Sequence, residues 1–334
     1  MAGNPGPLNV VGVGASAGGV EALKTLAATL PNDLPYAVLV VLHIPPGAPS
    51  VLARILDRAG PLPAETATAG TPMEHGKIYV AVPGHHLLVD RGKIALSEGP
   101  TENGHRPAIN ALFRSIALAH GRRATGVLLS GVLDDGVLGL SAIRSRGGAT
   151  IVQTPDDALF PAMPKNAIHA GVVDHQATAA EIGGLLEKLA DREIEETEMK
   201  PDTRMELENR IAMARRFATD FDTEELGPPS GYVCPDCHGA LIAVSEGNYR
   251  CHVGHAWTGD ALLQARDDEV GNALWVAVRS LQEKAKLSRR LADQVSPGVL
   301  SERYAALARE AEHATSVLGR RLAAVYGAQE DDPE

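Results

Sequence analysis

The sequence predicts an α/β protein: a doubly wound, mostly parallel sheet with an antiparallel excursion, then a small Cys/His module and a helical tail. Three observations predict it. Uninterrupted apolar runs at 8–14, 36–44 (YAVLVVLHI) and 124–132 (ATGVLLSGV) have no polar face, as strands covered by helices on both sides require. Each run leads into a stretch with helical apolar spacing, the alternation of a doubly wound sheet. Beyond residue 230, three cysteines fall within 18 residues and the chain then turns strongly helical.

The elements follow in order. The strand at 8–14 ends in glycines, and a helix runs from about 18 to 30. Pro45, Pro46 and Gly47 stop the second strand, and a helix at 50–59 returns the chain. The pieces within 61–98 are short and partly alternating, with Asp90, Arg91 and Gly92 as a hairpin turn, so they form the antiparallel excursion. Residues 99–106 are a loop. Pro107 opens a helix through His120, striped by Ile109, Leu112, Phe113 and Ile116. The third buried strand ends in LDDG and leads into a helix over 137–146 that Gly147 and Gly148 stop. ATIVQT is a further strand, AGVVDH (170–175) the last one, and 177–190 the last helix.

The chain has 334 residues, 44% hydrophobic, and a net charge of −11, which argues against a nucleic-acid partner. No run reaches the roughly 18 apolar residues of a membrane span, and no signal peptide opens the chain, so the expectation is a cytoplasmic protein without membrane insertion.

GVGASAG after the first strand has two readings. A dinucleotide-binding G-x-G-x-x-G turn needs glycine where Ala17 stands, and an acid after the second strand where His43 stands. The same residues match G-x-S-x-G over 14–18, a strand-to-helix turn that exposes the Ser16 hydroxyl. A serine nucleophile needs a base and an orienting acid. His43 closes the second strand, and Asp134 and Asp135 close the third. Strand ends of an open α/β sheet converge on one edge, so these groups can meet. The chemistry they fit is hydrolysis of a carboxylic ester, with the amides near Ala17 and Gly18 as oxyanion donors.

These pieces resemble the chemotaxis receptor methylesterases, the CheB family. The resemblance rests on VGVGASAGGVEAL (11–23), VVLHIP (40–45), HRPAINALFRS (105–115), LLSGVLDDG (128–136) and MPKNAI (163–168), in that order. It implies a doubly wound catalytic domain that removes methyl groups from glutamyl methyl esters on receptor signalling helices, with some members also deamidating glutamine. It also implies Ser16, His43 and Asp135 as the catalytic residues, with the Asp directly before Gly136. Arg106, Val132, Leu133 and Met163 are the substrate-pocket candidates. Arg106 and Arg114 are expected either to meet a negatively charged target or to be solvated surface groups. The chain departs from the family with Ala17 in place of threonine, Val132 and Leu133 in place of Met-Gly, and Asn110 in place of aspartate. It also starts at the catalytic domain, without the receiver domain usual in chemotaxis members. The partner implied is a methylated chemoreceptor-like or other signalling protein. The departures leave two alternatives: an esterase or amidase with another substrate, and a signalling scaffold with little or no catalysis.

In the module, Cys234 and Cys237 form one Cys-x-x-Cys, and Cys251 with His255 supplies the second pair. Three thiolates and one imidazole make a closed tetrahedral site, which predicts structural zinc. His252 and His238 are the alternative fourth ligands; the three-residue gap before His255 lets the chain turn back to the metal. Catalysis itself calls for no cofactor. The expected domains are therefore the catalytic domain at 8–192, a charged and partly helical linker at 193–230, the zinc module at 231–259 and a helical segment at 260–326. In that segment Leu274, Val278, Leu281, Ala285, Leu287 and Leu291 are the expected apolar face. Leu307, Ala311, Ala314 and Leu318 oppose it after a break at Pro297 and Gly298, and the tail is a candidate dimerisation element.

Overall fold

The structure, a computed structural model, describes residues 8–47, 49–192, 201–213 and 227–327. The lead at 1–7, the acidic EIEETE run within 193–200, the connector at 214–226 and the end at 328–334 lie outside the described residues.

The first half runs β1 (Asn9–Ala15), α1 (Gly19–Thr29), β2 (Tyr36–Leu42), α2 (Leu52–Ala59), β3 (Ala64–Thr66), β4 (Lys77–Val80), β5 (His86–Asp90), β6 (Lys93–Ser97) and α3 (Ile109–His120). It continues through β7 (Ala124–Leu128), α4 (Val137–Ser145), β8 (Ala149–Gln153), α5 (Ala162–His169), β9 (His175–Ala177), α6 (Ile182–Ala190) and α7 (Thr203–Met213). Seven strands form one sheet in the order β3-β4-β2-β1-β7-β8-β9, every pair parallel. β2 is buried along its whole length, as its unbroken apolar run requires. Side chains on one face pack against α1, α2 and α6, and those on the other against α3, α4 and α5. The expected stripe of α3 is fully buried: Ile109, Leu112, Phe113 and Ile116 are each 0% exposed, and burial of side chains this size contributes roughly 1.5–3 kcal/mol apiece.

Two expectations need correction. The antiparallel excursion is present but shorter than the 61–98 stretch expected. β3 and β4 join the main sheet in parallel, because Ile78, Tyr79 and Val80 form a short run buried on both faces. The β5–β6 hairpin is antiparallel, with an isolated antiparallel bridge from Pro72 to Lys93. Its turn has Arg91 at φ 48° and Gly92 at φ 73°, the left-handed pair that matches the twist of two-residue hairpins. The last strand lies at 175–177 rather than 170–175. Gly171, at φ 68°, closes α5, while Val172 and Val173 pack on the core as loop and Asp174 binds Thr150.

A four-stranded sheet follows, β10 (Pro229–Val233), β11 (Ala240–Ser245), β12 (Asn248–Cys251) and β13 (Ala256–Thr258), in sequential order. The chain divides into two compact units at Ala261/Leu262, so this small sheet belongs with the large one. The second unit is built from α8 (Gly259–Gln294) and α9 (Val299–Gly327). Val278, Ala285, Ala308, Ala311 and Leu322 are buried there, and Arg289 binds Glu312 through Nε and Nη2 at 2.6 and 2.7 Å. Leu287, expected on the apolar face, is 59% exposed. It lies two residues past Ala285, on the opposite side of the helix, and Ser288 takes the inward position.

Candidate active site

The three central strands end side by side, and each delivers one polar group. Ser16 follows β1, His43 follows β2, and Asp135 lies seven residues beyond the end of β7. The sheet pairing carries on past the strand ends: His43 N–H donates to Ala15 O, Ser16 N–H to Ser130 O and Leu129 N–H to Gly14 O. The side chains then meet. His43 Nδ1 is 3.2 Å from Ser16 Oγ, and His43 Nε2 is 2.7 Å from Asp135 Oδ2. The His43 and Asp135 side chains are 7% and 3% exposed.

Asp135 sits at the N-terminus of α3. Its Oδ2 also accepts from Ile109 N–H at 2.7 Å and its Oδ1 from Asn110 N–H at 3.1 Å. These are the free amides of a helix start, which favour negative charge. Burial pushes the Asp135 carboxyl up, but the hydrogen bond and charge of His43, the neighbouring His105 and Ile109 N–H outweigh it, and the group is held below the ordinary carboxylate range. An ionised Asp135 accepts a hydrogen bond from His43 Nε2–H and so keeps the ring proton there, which leaves the Nδ1 lone pair facing Ser16. Asn110 returns the cap: its Oδ1 accepts from Gly136 and Gly139 N–H at 3.0 and 2.7 Å, holding the start of α4.

A second imidazole covers the first. The His105 ring stacks on His43 with centroids 3.7 Å apart and planes 12° from parallel. Burial, then the charge of His43, bring His105 down to about 4 against the opposing pull of Asp135, so it is neutral near pH 7. Sequence reasoning missed His105. Two signals were available: His105 opens the HRPAINALFRS stretch, and Asn103-Gly104 before it is a two-residue turn pair inside a stretch read only as loop.

The other expected residues are placed as follows. The amides of Ala17 and Gly18 lie at the turn into α1, between Ser16 N–H and Gly19 N–H, which bind Ser130 O and Ser16 O. Gly18 has φ 70°, and a Cβ there would meet Ser130 Oγ at 2.7 Å. Val132 is 45% exposed. Leu133 holds a left-handed backbone at φ 61° with its carbonyl bound by Asn166 Nδ2, a conformation costly for a branched residue unless the surroundings fix it. Met163 is 0% exposed and lies behind Gly131, where an added Cβ would meet Met163 Cε at 2.4 Å and Ser16 Cβ at 3.0 Å; it backs Ser16. Arg106 donates to the carbonyls of Gly84, Glu98 and Gly99, bracing the loop before α3. Arg114 is neither solvated nor open to a target: it is 5% exposed and pairs with the buried Glu102. Leu159 and Phe160, 71% and 41% exposed, adjoin Gly18 and add an apolar rim the sequence did not flag.

The family model for CheB methylesterase matches residues 11–186. The chain belongs to the CheB methylesterase family. A protein-glutamate methylesterase/protein-glutamine glutaminase of Symbiobacterium thermophilum is 39% identical over 166 residues, 49% of this chain and 46% of that protein. Protein-glutamate methylesterase/protein-glutamine glutaminase 3 of Anaeromyxobacter dehalogenans is 42% identical over 167 residues, 49% of each chain. The chain thus spans about half the length of the curated relatives it matches. The crystal structure of the Thermotoga maritima CheB methylesterase catalytic domain superposes with a TM-score of 0.53 at 29% identity, covering 55% of this chain and 99% of that one.

This CheB-family chain carries a Cys/His cluster beyond the matched region. The donor atoms of Cys234, Cys237, Cys251 and His255 all lie within 4.8 Å of one another. His255 is the histidine in the cluster; His238 and His252 are outside it. Cys237 Sγ to Cys251 Sγ is 3.6 Å, and His255 Nδ1 is 3.7 and 3.4 Å from Cys234 and Cys251 Sγ. Zinc–ligand lengths of about 2.3 and 2.0–2.1 Å in a tetrahedron give S···S near 3.8 Å and S···N near 3.5 Å, so the set fits a tetrahedral divalent ion. The thiols conflict when left to themselves. The hydrogen bond from Cys251 draws Cys234 down to about 3, while Cys234 and burial push Cys251 far above the thiol range. A shared cation stabilises all three thiolates. Among the described residues, no helix is long and apolar enough to cross a membrane.

Proposed function

We propose that this chain hydrolyses glutamyl methyl esters on a chemoreceptor-like or other signalling protein of the cytoplasm, releasing methanol and leaving a glutamate side chain on that protein. The observation that carries the reading is the continuous contact Ser16–His43–Asp135 across three adjacent strand ends, in a chain whose relatives are named protein-glutamate methylesterases. His43 Nδ1 takes the Ser16 proton as Oγ attacks the ester carbonyl. Asp135 keeps Nε2 protonated and stabilises the imidazolium. The amides of Ala17 and Gly18, at the positive end of α1, stabilise the oxyanion. His43 returns the proton to the departing methoxide, then activates the water that frees the acid. The exposed Val132, Leu159 and Phe160 give the nucleophile an apolar rim suited to a protein segment rather than a small polar ester.

Structural zinc in the Cys234, Cys237, Cys251 and His255 cluster belongs to the same reading; it takes no part in the chemistry. Methanol release from methylated receptor-type helices tests the function. The wild type is expected to release methanol and Ser16→Ala to lose about 10³-fold or more. No release by the wild type overturns the reading.

A further inference from the structure

The loop that carries His105 is anchored from two sides. The catalytic domain holds its ends. Buried His86 accepts Ala108 N–H at Nδ1 and donates Nε2–H to Pro100 O, and Arg106 binds three carbonyls near its base. The tip is a two-residue hairpin: Glu102 and His105 exchange both backbone hydrogen bonds at 3.2 and 2.9 Å, with Asn103 at φ 51° and Gly104 at φ 74°.

The outer strand of this hairpin is paired to the small sheet. Ala256 N–H donates to Thr101 O at 3.1 Å and Asn103 N–H to Ala256 O at 2.8 Å. Thr258 N–H donates to Asn103 Oδ1 at 2.9 Å, and Thr101 Oγ1 to Asp236 Oδ2 at 2.5 Å. Two of these partners adjoin a cluster residue, and Thr258 lies three residues past His255. Ala256 follows His255, and Asp236 lies between Cys234 and Cys237. Arg250 precedes Cys251, is 3% exposed, and lies against Glu102, which Arg114 also binds. On the far side of the site, Thr258 Oγ1 donates to Asp134 Oδ1 at 2.9 Å, one residue from Asp135.

A sheet this small has a thin core, chiefly Leu241, Ile242 and Trp257, and such modules depend on their metal to hold shape. We propose that the Cys/His module is a metal-dependent positioning device for the active site: with a divalent ion bound, it holds the Thr101–His105 hairpin by strand addition and thereby keeps His105 stacked on His43. This rests on the hydrolase reading of Ser16, His43 and Asp135. His105 is a positioning residue, since it touches the base and not the reacting atoms. Ion loss leaves the ends of the loop fixed by His86 and Arg106 and Glu102 held by Arg114, and loosens the tip beyond them.

The test compares the full chain loaded with zinc and stripped by a chelator under reducing conditions, read by hydrogen exchange. Stripping is expected to speed exchange at the Asn103, His105 and Ala256 amides by about tenfold or more, with β1 and β7 unchanged. Unchanged protection at the tip overturns the proposal. So does equal loss across β1 and β7, because the ion would then hold the whole fold. Asn103→Gly keeps the turn and loses the bond from Thr258; it is expected to retain zinc and show part of the same deprotection, and full protection at the tip counts against the clamp. In the methanol assay His105→Ala is expected to lower kcat about tenfold at unchanged KM, and His105→Phe, which keeps a flat ring, to recover most of it. Equal kcat in His105→Ala and the wild type overturns the positioning role. If wild type releases no methanol, the hydrolase reading fails, while the exchange result still decides whether the module holds the loop.

Discussion

Asp135→Asn changes one oxygen to an NH2 group and disturbs three hydrogen bonds. In the native site Oδ2 accepts from His43 Nε2 and Ile109 N–H, both at 2.7 Å, and Oδ1 accepts from Asn110 N–H at 3.1 Å. An asparagine has one acceptor oxygen. With the oxygen at the Oδ2 position, the amide group faces the Asn110 N–H, donor against donor. With the amide group at the Oδ2 position, it faces Ile109 N–H and drives His43 to the tautomer with its proton on Nδ1. That tautomer cannot accept from Ser16. Either way the charge that stabilises the imidazolium is gone. The expected fall in kcat is about 10³–10⁴-fold, or roughly 4–5.5 kcal/mol of barrier, the scale of the same change in a serine protease triad. Lost charge at the α3 N-terminus and one unsatisfied donor lower stability by about 1–3 kcal/mol. Methanol release and urea unfolding read the two effects separately. A folded variant that keeps more than a tenth of the wild-type kcat refutes the assigned role of Asp135.

Asp134 gives a stability effect with a defined pH sign. Burial, with Asp135 and Asp260 nearby, raises its carboxyl from 3.8 to about 6 against the bond from Thr258, so the folded state binds this proton more readily than the unfolded chain. Stability therefore declines as pH rises from about 4 to 6 and is level above. Asp134→Asn, which keeps an acceptor for Thr258, is expected to stabilise by up to about 3 kcal/mol at pH 8 and by nothing at pH 3.5; an equal gain at both in urea titrations refutes this. Glu102→Gln leaves the buried Arg114 and Arg250 without their shared carboxylate and is expected to cost about 3–5 kcal/mol, seen as a lower unfolding midpoint; an unchanged midpoint shows the pair contributes nothing. Elemental analysis is expected to find about one zinc per chain, bound through the cluster, and none found defeats the metal assignment.

The contact among Ser16, His43 and Asp135 was foreseeable because each residue ends a buried run, and parallel strands deliver their ends to one edge. Choosing between Asp134 and Asp135 was not possible from pattern alone. The two differ by a single step along a turn, and what separates them is the pair of free amides at the start of α3, which only the fold aims at one carboxylate. The stripe of α3 was legible for the ordinary reason that burial follows helical spacing. Arg114 defeated the reading because the groups that make its burial tolerable, Glu102 and Glu208, come from a loop and from α7, 12 residues before it and 94 after it.

The least legible feature was the seat of the Cys/His module on the catalytic domain. Cluster ligands declare themselves by residue type and spacing. The seat is made largely of backbone groups, Thr101 O, Asn103 N–H and both polar atoms of Ala256, and any residue supplies those. An alanine at the centre of the contact carries no signal of its role. On the proposed clamp the loop tip follows the module's geometry: a strand pair one residue out of register offers the Asn103 side chain a different amide and turns Trp257, whose ring a Cβ added at Gly104 would meet at 3.3 Å, to the other face. On the proposal above, the placement of the His105 ring over His43 therefore follows a register set largely by the neighbours of Cys251 and His255.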